Sequence, residues 1–147
     1  MNRVVILDNE AVQALLATGH KKHREILRAL DAVTSRKGRP RGPRQQRLEP
    51  TTLVVPTSVR VEAGWDRTSA TAGFANGLAI HDSALDGHDA NVAAALRQRL
   101  GTAVSVADAH LGATIARYAG GHITVLTSDP SDVGALAGAT PVNIITL

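Results

Sequence analysis

Four acids in this chain stand where one backbone element ends and another begins. Asp8 closes the apolar run Arg3-Val4-Val5-Ile6-Leu7, and Asp129 follows Ile123-Thr124-Val125-Leu126-Thr127. Glu62 lies one turn into a helical pattern opened by Pro56-Thr57-Ser58, and Asp108 lies three residues after Ser105. Read singly, each acid fits a bland role. Asp8 and Asp129 suit helix N-caps, Ser105-x-x-Asp108 resembles a capping box, and Glu62 suits a half-exposed helix face. Read together, they are harder to dismiss, because few nearby basic residues can pair with them. Two carboxylates about 5 Å apart repel by roughly 3 kcal/mol at an effective dielectric of 20. A cluster of three or four therefore needs a cation or a raised pKa. All-oxygen ligands without cysteine or paired histidine favour Mg²⁺ or Mn²⁺. A cation so held polarises a phosphate and generates a nucleophilic water, the chemistry of phosphodiester hydrolysis.

The elements that would position these acids follow from periodicity. Val4-Val5-Ile6-Leu7 is continuous and β-branched, as in a strand buried on both faces. Helices are predicted over Asn9–Thr18 and Lys21–Val33, then a strand at Leu53–Val55 and the helix bearing Val59, Val61, Glu62 and Trp65. Asp66 to Gly77 has no clear period. A short strand is expected at Leu78–His81, a helix over Asp89–Leu100 ending at Gly101, and the clearest helix over Ser105–Ala119. That helix has Leu111, Ile115 and Tyr118 on one face and His110, Thr114 and Arg117 on another, and Gly120-Gly121 stops it. A strand over Ile123–Thr127, a helix over Pro130–Leu136 and a strand over Val142–Ile145 complete the chain. Strands alternating with helices mean an α/β fold with a largely parallel sheet, whose strand ends place Asp8 and Asp129 on one edge.

Charge divides the chain unevenly. The formal net charge is +3, yet Arg36, Lys37, Arg39, Arg41, Arg44 and Arg47 crowd into one stretch without an acid. Without those six, 10 basic residues face 13 acidic ones, a body near −3. Gly38, Pro40, Gly42, Pro43 and Pro50 interrupt the same stretch, so a mobile basic insertion is expected at about 35–50 within one domain spanning 1–147. An acidic body with a basic loop suits a cation site served by an element that attracts polyanions. Trp65, Phe74 and Tyr118 are the only aromatics, which argues against modules that stack bases on aromatic platforms. There is no cysteine, hence no disulfide framework and no thiolate zinc site. The first apolar run is too short for a signal peptide and nothing approaches a membrane span, so a cytoplasmic protein without a membrane partner is expected.

Four segments carry a resemblance: Val5-Ile6-Leu7-Asp8, Val55 to Glu62, Ser105-Val106-Ala107-Asp108-Ala109, and Leu126 to Asp132. In this order and spacing the chain resembles a PIN domain, specifically the VapC-like ribonuclease toxins of bacterial toxin–antitoxin modules. The resemblance runs from end to end of the chain. It implies a three-layer α/β/α fold, metal-dependent endoribonuclease activity on structured RNA, a cognate antitoxin and a homodimer. By motif match, Asp8, Glu62, Asp108 and Asp129 correspond to the catalytic, metal-binding acids. Asp132 resembles the auxiliary acid, and Thr127 the polar residue near the site. The basic residues from Arg36 to Arg47 become candidates for RNA contact. The chain departs from the family pattern in the length and charge of that stretch, and in having His110 and Gly112 where bulkier apolar residues are usual.

Other signals are weaker. The six histidines make no zinc pattern, Ser58 and Ser105 have no triad logic, and no phosphate loop occurs. Asp82, Asp86 and Asp89 read as a solvated turn and cap. Two other functions are open. A non-catalytic RNA- or protein-binding module on the same fold would use the basic stretch as its working surface. A signalling receiver also clusters acids at strand ends, but needs paired acids after the first strand and a late lysine; no lysine follows Lys37.

Overall fold

A computed structural model describes residues 2–34, 50–101 and 103–147. The basic stretch therefore lies outside the described residues, apart from Pro50. Five strands form one sheet: β1 (Arg3–Leu7), β2 (Thr51–Pro56), β3 (Ile80–Ser83), β4 (His122–Thr127) and β5 (Asn143–Thr146). Their order is β3-β2-β1-β4-β5, and every pairing is parallel. The helices are α1 (Asn9–Leu16), α2 (Lys21–Thr34), α3 (Thr57–Ala63), α4 (Gly73–Asn76), α5 (Gly87–Leu100), α6 (Val106–Arg117) and α7 (Pro130–Ala137).

The central strand explains the layering. Side chains alternate across a strand, so Val5 and Leu7 face one side while Val4 and Ile6 face the other. Val5 and Leu7 pack with Val12 and Leu15 of α1, Ile26 and Leu30 of α2, and Val59 of α3. Val4 and Ile6 pack with Leu111 and Ile115 of α6 and Val133 and Leu136 of α7. Burial of both faces is why the run reads as continuously apolar. The result is a three-layer α/β/α fold with an all-parallel sheet.

Helix α6 differs from the others in being buried nearly all round. Its residues from Ala109 to Ile115 are all buried, because α5 covers the side that the sheet does not. Small residues permit this approach: Ala109 and Ala113 meet Ala93 of α5. A Cβ on Gly112 would come within 2.5 Å of Leu96 Cδ1 and 3.5 Å of Leu136, so this glycine is where α6 settles between α5 and α7.

Between Trp65 and Gly77, order comes from side-chain bonds rather than periodicity. Trp65 Nε1 donates to Asn76 Oδ1 at 2.9 Å, and Asn76 Nδ2 donates to the Arg67 carbonyl at 2.7 Å. A 3-10 turn at Ala70–Ala72 and the short α4 fill the span. Among the described residues no helix is long and apolar enough to cross a membrane.

Candidate metal centre

The sheet order reverses direction at β1: the chain leaves it toward β2 and β3, then returns to β4 on the other side. In open α/β sheets the carboxyl edge at such a reversal is where ligands sit. Asp8 stands at that edge after β1, and Asp129 after the neighbouring β4. The two are joined through Thr127, which is fully buried. Its hydroxyl donates to Asp8 Oδ2 at 2.7 Å and accepts the Asp129 backbone N–H at 3.0 Å. One hydroxyl thus fixes a carboxylate on one strand and the turn that carries the next.

Each acid also has a local role. Asp8 is the N-cap of α1, its Oδ1 accepting the Asn9 N–H at 2.8 Å. Asp129 is the N-cap of α7, accepting from the Asp132 N–H at 3.3 Å, with Pro130 opening the helix. Ser105 caps α6 by accepting the Asp108 N–H at 3.0 Å. The reciprocal half of that capping box is missing, which leaves the Asp108 carboxylate uncommitted among the described residues. Capping therefore accounts for one oxygen of Asp8 and one of Asp129, and for none of the Asp108 carboxylate.

Glu62 is brought in by α3, which starts directly from β2 and stops at Gly64. There φ of +75° turns the chain away. Its N-cap is Pro56, which has no side chain to offer. The acceptor comes from α6 instead: His110 Nδ1 takes the Ser58 backbone N–H at 3.4 Å and lies 3.0 Å from Ser58 Oγ. His110 is fully buried. It ties the start of the helix bearing Glu62 to the helix bearing Asp108. Sequence reasoning set the histidines aside because it looked for ligands, not for a cap supplied from another helix.

The acids feel one another. Burial pushes the Asp8 carboxyl above its ordinary value, the charges of Asp108 and Asp129 push the same way, and the bonds from Thr127 and Asn9 oppose them. Burial also raises Glu62, followed by the charges of Asp108 and Asp8, against a bond from Asn9. Asp132 is raised first by its hydrogen bond with Asp129 and then by the charges of Asp129, Asp108 and Asp8. So Asp8, Glu62, Asp108, Asp129 and Asp132 share one electrostatic neighbourhood. None of them forms an ion pair with Lys, Arg or His among the described residues. Oxygen donors with no counter-cation suit a hard divalent ion, so the residues present fit Mg²⁺ or Mn²⁺.

Two neutral residues at this edge were not singled out from sequence. Asn9 Nδ2 donates to Glu62 Oε1 at 2.8 Å, and Gln13 Nε2 donates to Asn9 Oδ1 at 3.0 Å. Two amides four residues apart on a helix, the first directly after an acid, were the available signal.

A second acidic group, read from sequence as a solvated turn and cap, is instead bound to arginine. Asp82 pairs with Arg60 at 2.8 Å and Arg67 at 2.9 Å, and both guanidinium groups flank the Trp65 ring. Asp86 does cap α5, but it also pairs with Arg117 at 2.9 Å. Asp89 is fully buried and meets the same guanidinium at 2.8 Å. Ligand atoms of Asp86, His88 and Asp89 lie within 4.8 Å of one another, close enough for a metal. Arg117 already supplies the positive charge there.

No protein-family model matches the chain. No curated protein matches it. Among solved structures, a chain in the crystal structure of VapBC2 from Rickettsia felis bound to a DNA fragment from their promoter is similar to it. The match covers 98% of each chain, with a TM-score of 0.55 and 12% sequence identity. At that identity the likeness is one of fold, and the fold of this chain is the PIN-like α/β/α fold that its four acid-bearing segments implied.

Proposed function

We propose that this protein is a metal-dependent endoribonuclease that hydrolyses RNA phosphodiester bonds, the toxin of a toxin–antitoxin pair. The observation that carries the reading is the convergence of Asp8, Glu62, Asp108, Asp129 and Asp132 on one sheet edge with no basic partner among the described residues. The similar structure is of VapBC2 with promoter DNA, which supports an antitoxin partner for this chain by analogy of fold.

Asp8, Glu62, Asp108 and Asp129 would hold Mg²⁺ or Mn²⁺, with Asp132 as an auxiliary ligand. Such an ion supplies Lewis acidity toward a phosphate oxygen and lowers the pKa of a bound water. The chain's own residues do the rest. Thr127 and the α1 cap fix the Asp8 carboxylate, each bonding one oxygen and leaving a lone pair on each. Asp129 aligns Asp132 through the first turn of α7. Burial and the neighbouring acids raise the carboxyls of Asp8 and Glu62, and a bound cation would oppose that shift. An acidic edge repels a polyanion, so RNA affinity is assigned to the cations Arg36, Lys37, Arg39, Arg41, Arg44 and Arg47, through phosphates rather than bases. A homodimer and a single domain over 1–147 complete the proposal.

The test is cleavage of RNA by purified protein with Mg²⁺ or Mn²⁺, with and without EDTA. Cleavage that EDTA stops, and that Asp8→Asn and Asp108→Asn abolish, is the expected result. A chain that binds RNA but cuts none under any divalent ion is a binding module instead.

A further inference from the structure

We infer that Asn9, oriented by Gln13, is a positioning residue for Glu62. The inference rests on the metal reading above and deepens it. Glu62 is held to the site by a single side-chain hydrogen bond. It is exposed, sits on a seven-residue helix, and has no ion pair among the described residues. Repulsion from Asp8 and Asp108 favours rotamers that swing it into solvent. What holds it is the Asn9 amide, donating to Oε1 at 2.8 Å from the first residue of α1. The choice of an amide matters. A lysine at this place would hold Glu62 equally well, but would neutralise it and compete with a cation. An amide donates a hydrogen bond and leaves the charge for the metal.

Asn9 can do this only in one of two orientations, since its side chain has a donor end and an acceptor end. Gln13, one turn along α1, decides which. Its Nε2 donates to Asn9 Oδ1 at 3.0 Å, which occupies the acceptor end and leaves the donor end for Glu62. Gln13 is exposed and is not among the groups that bear on the Glu62 carboxyl. It acts on Glu62 only through Asn9. This gives a test that simple electrostatics answers in the opposite direction. Gln13→Glu is nearly isosteric, but a carboxylate accepts and does not donate. Asn9 Oδ1 then loses its donor and faces an acceptor, so nothing fixes the Asn9 NH₂ on Glu62. An added acid near a cation site would otherwise tighten cation binding.

The experiment is Mn²⁺ titration by calorimetry on the full chain, comparing wild type, Asn9→Ala, Gln13→Glu and the double variant. Asn9→Ala and Gln13→Glu should each weaken Mn²⁺ binding about tenfold, as loss of a group that orients a metal ligand does. The double variant should be no weaker than Asn9→Ala, because both changes remove the same contact. Metal-free melting temperatures should stay near wild type, which separates positioning from folding. If Asn9→Ala binds like wild type, or Gln13→Glu binds as tightly or more tightly, the inference is overturned while the metal site stands. A wild type that takes up no Mn²⁺ overturns the metal reading and this inference with it.

Discussion

Two acidic groups lie on this molecule, and they have been treated in opposite ways. On one side, Asp82, Asp86 and Asp89 are matched by Arg60, Arg67 and Arg117. On the other, Asp8, Glu62 and Asp129 meet a hydroxyl, an amide and backbone N–H groups, and neither they nor Asp108 and Asp132 meet a cation among the described residues. The paired group is the tighter one by geometry, with ligand atoms of Asp86, His88 and Asp89 within 4.8 Å. Proximity of acids is therefore a poor sign of a metal centre. The better sign is a group of acids with no arginine or lysine paired to it among the described residues. Arg117 fastens α5 to α6 through Asp86 and Asp89, and no such partner meets the other group among the described residues.

The contrast should be sharpest in catalysis. Asp108→Asn is expected to lower RNA cleavage by about a hundredfold or more, since losses at groups that merely support a metal already reach that range. Asp86→Asn keeps its capping ability and should cut at the wild-type rate. Equal losses in the two variants, measured as initial rates on one RNA, would erase the distinction between the groups.

Stability should rank them in reverse. Asp89→Asn strips a buried charge from Arg117 and should lower the melting temperature by about 5 °C. Asp8→Asn in EDTA should melt no lower than wild type at neutral pH. The sign follows from the raised carboxyl: the folded state holds its proton to higher pH than the unfolded chain does. Stability is then greatest below the ordinary value of 3.8 and is lost as pH rises through the folded pKa. Asparagine removes that loss, so the variant's melting temperature should vary less than wild type's between acidic and neutral pH. A steeper dependence would show that Asp8 serves the fold as a cap alone.

On the proposed function, RNA affinity falls to cations away from the acidic edge. Replacing Arg39, Arg41 and Arg44 by Gln should flatten the salt dependence of RNA binding by about two units, at about 0.7 per phosphate contact for single strands. Binding is best measured on an Asp8→Asn background with uncut RNA. The cut position, mapped on the active form, should not move. An unchanged slope would relieve these cations of any steering role.

The smallest effect belongs to His110, which lies between the two groups. Burial lowers its pKa, and Arg117 lowers it further, while Asp89, Asp86 and the Ala84 backbone raise it. The unfolded chain therefore takes the proton first, and stability should fall as pH drops below the ordinary 6.5. His110→Asn keeps an acceptor near Nδ1 for Ser58 and should lose that component of the pH profile. A profile identical to wild type would mean that His110 does not report on the α3–α6 junction.

Legibility in the sequence followed the range of the forces involved. The strands β1 and β4 were readable because burial on both faces writes an unbroken apolar run. The acids at their ends were readable because strand, acid and helix follow one another locally. The start of α3 was visible, but not its cap, because His110 comes from 52 positions away. Asp89 looked solvated because its partner Arg117 lies 28 positions on, in another helix. The second face of α6 is likewise settled by contacts from elsewhere in the chain. His110 and Thr114 are both fully buried, His110 bonding Ser58 of α3 and Thr114 spending its hydroxyl on the His110 carbonyl at 2.9 Å.

The Thr127–Asp8 bond spans 119 positions of sequence. It imposes an order in time as well as in space. A chain growing from its N-terminus can pair β1 with β2 and β3 early, but Asp8 then has neither Thr127 nor the other late acids beside it. Long-range pairing of this kind is the slow part of folding. The acidic edge is thus assembled only once β4 has docked beside β1.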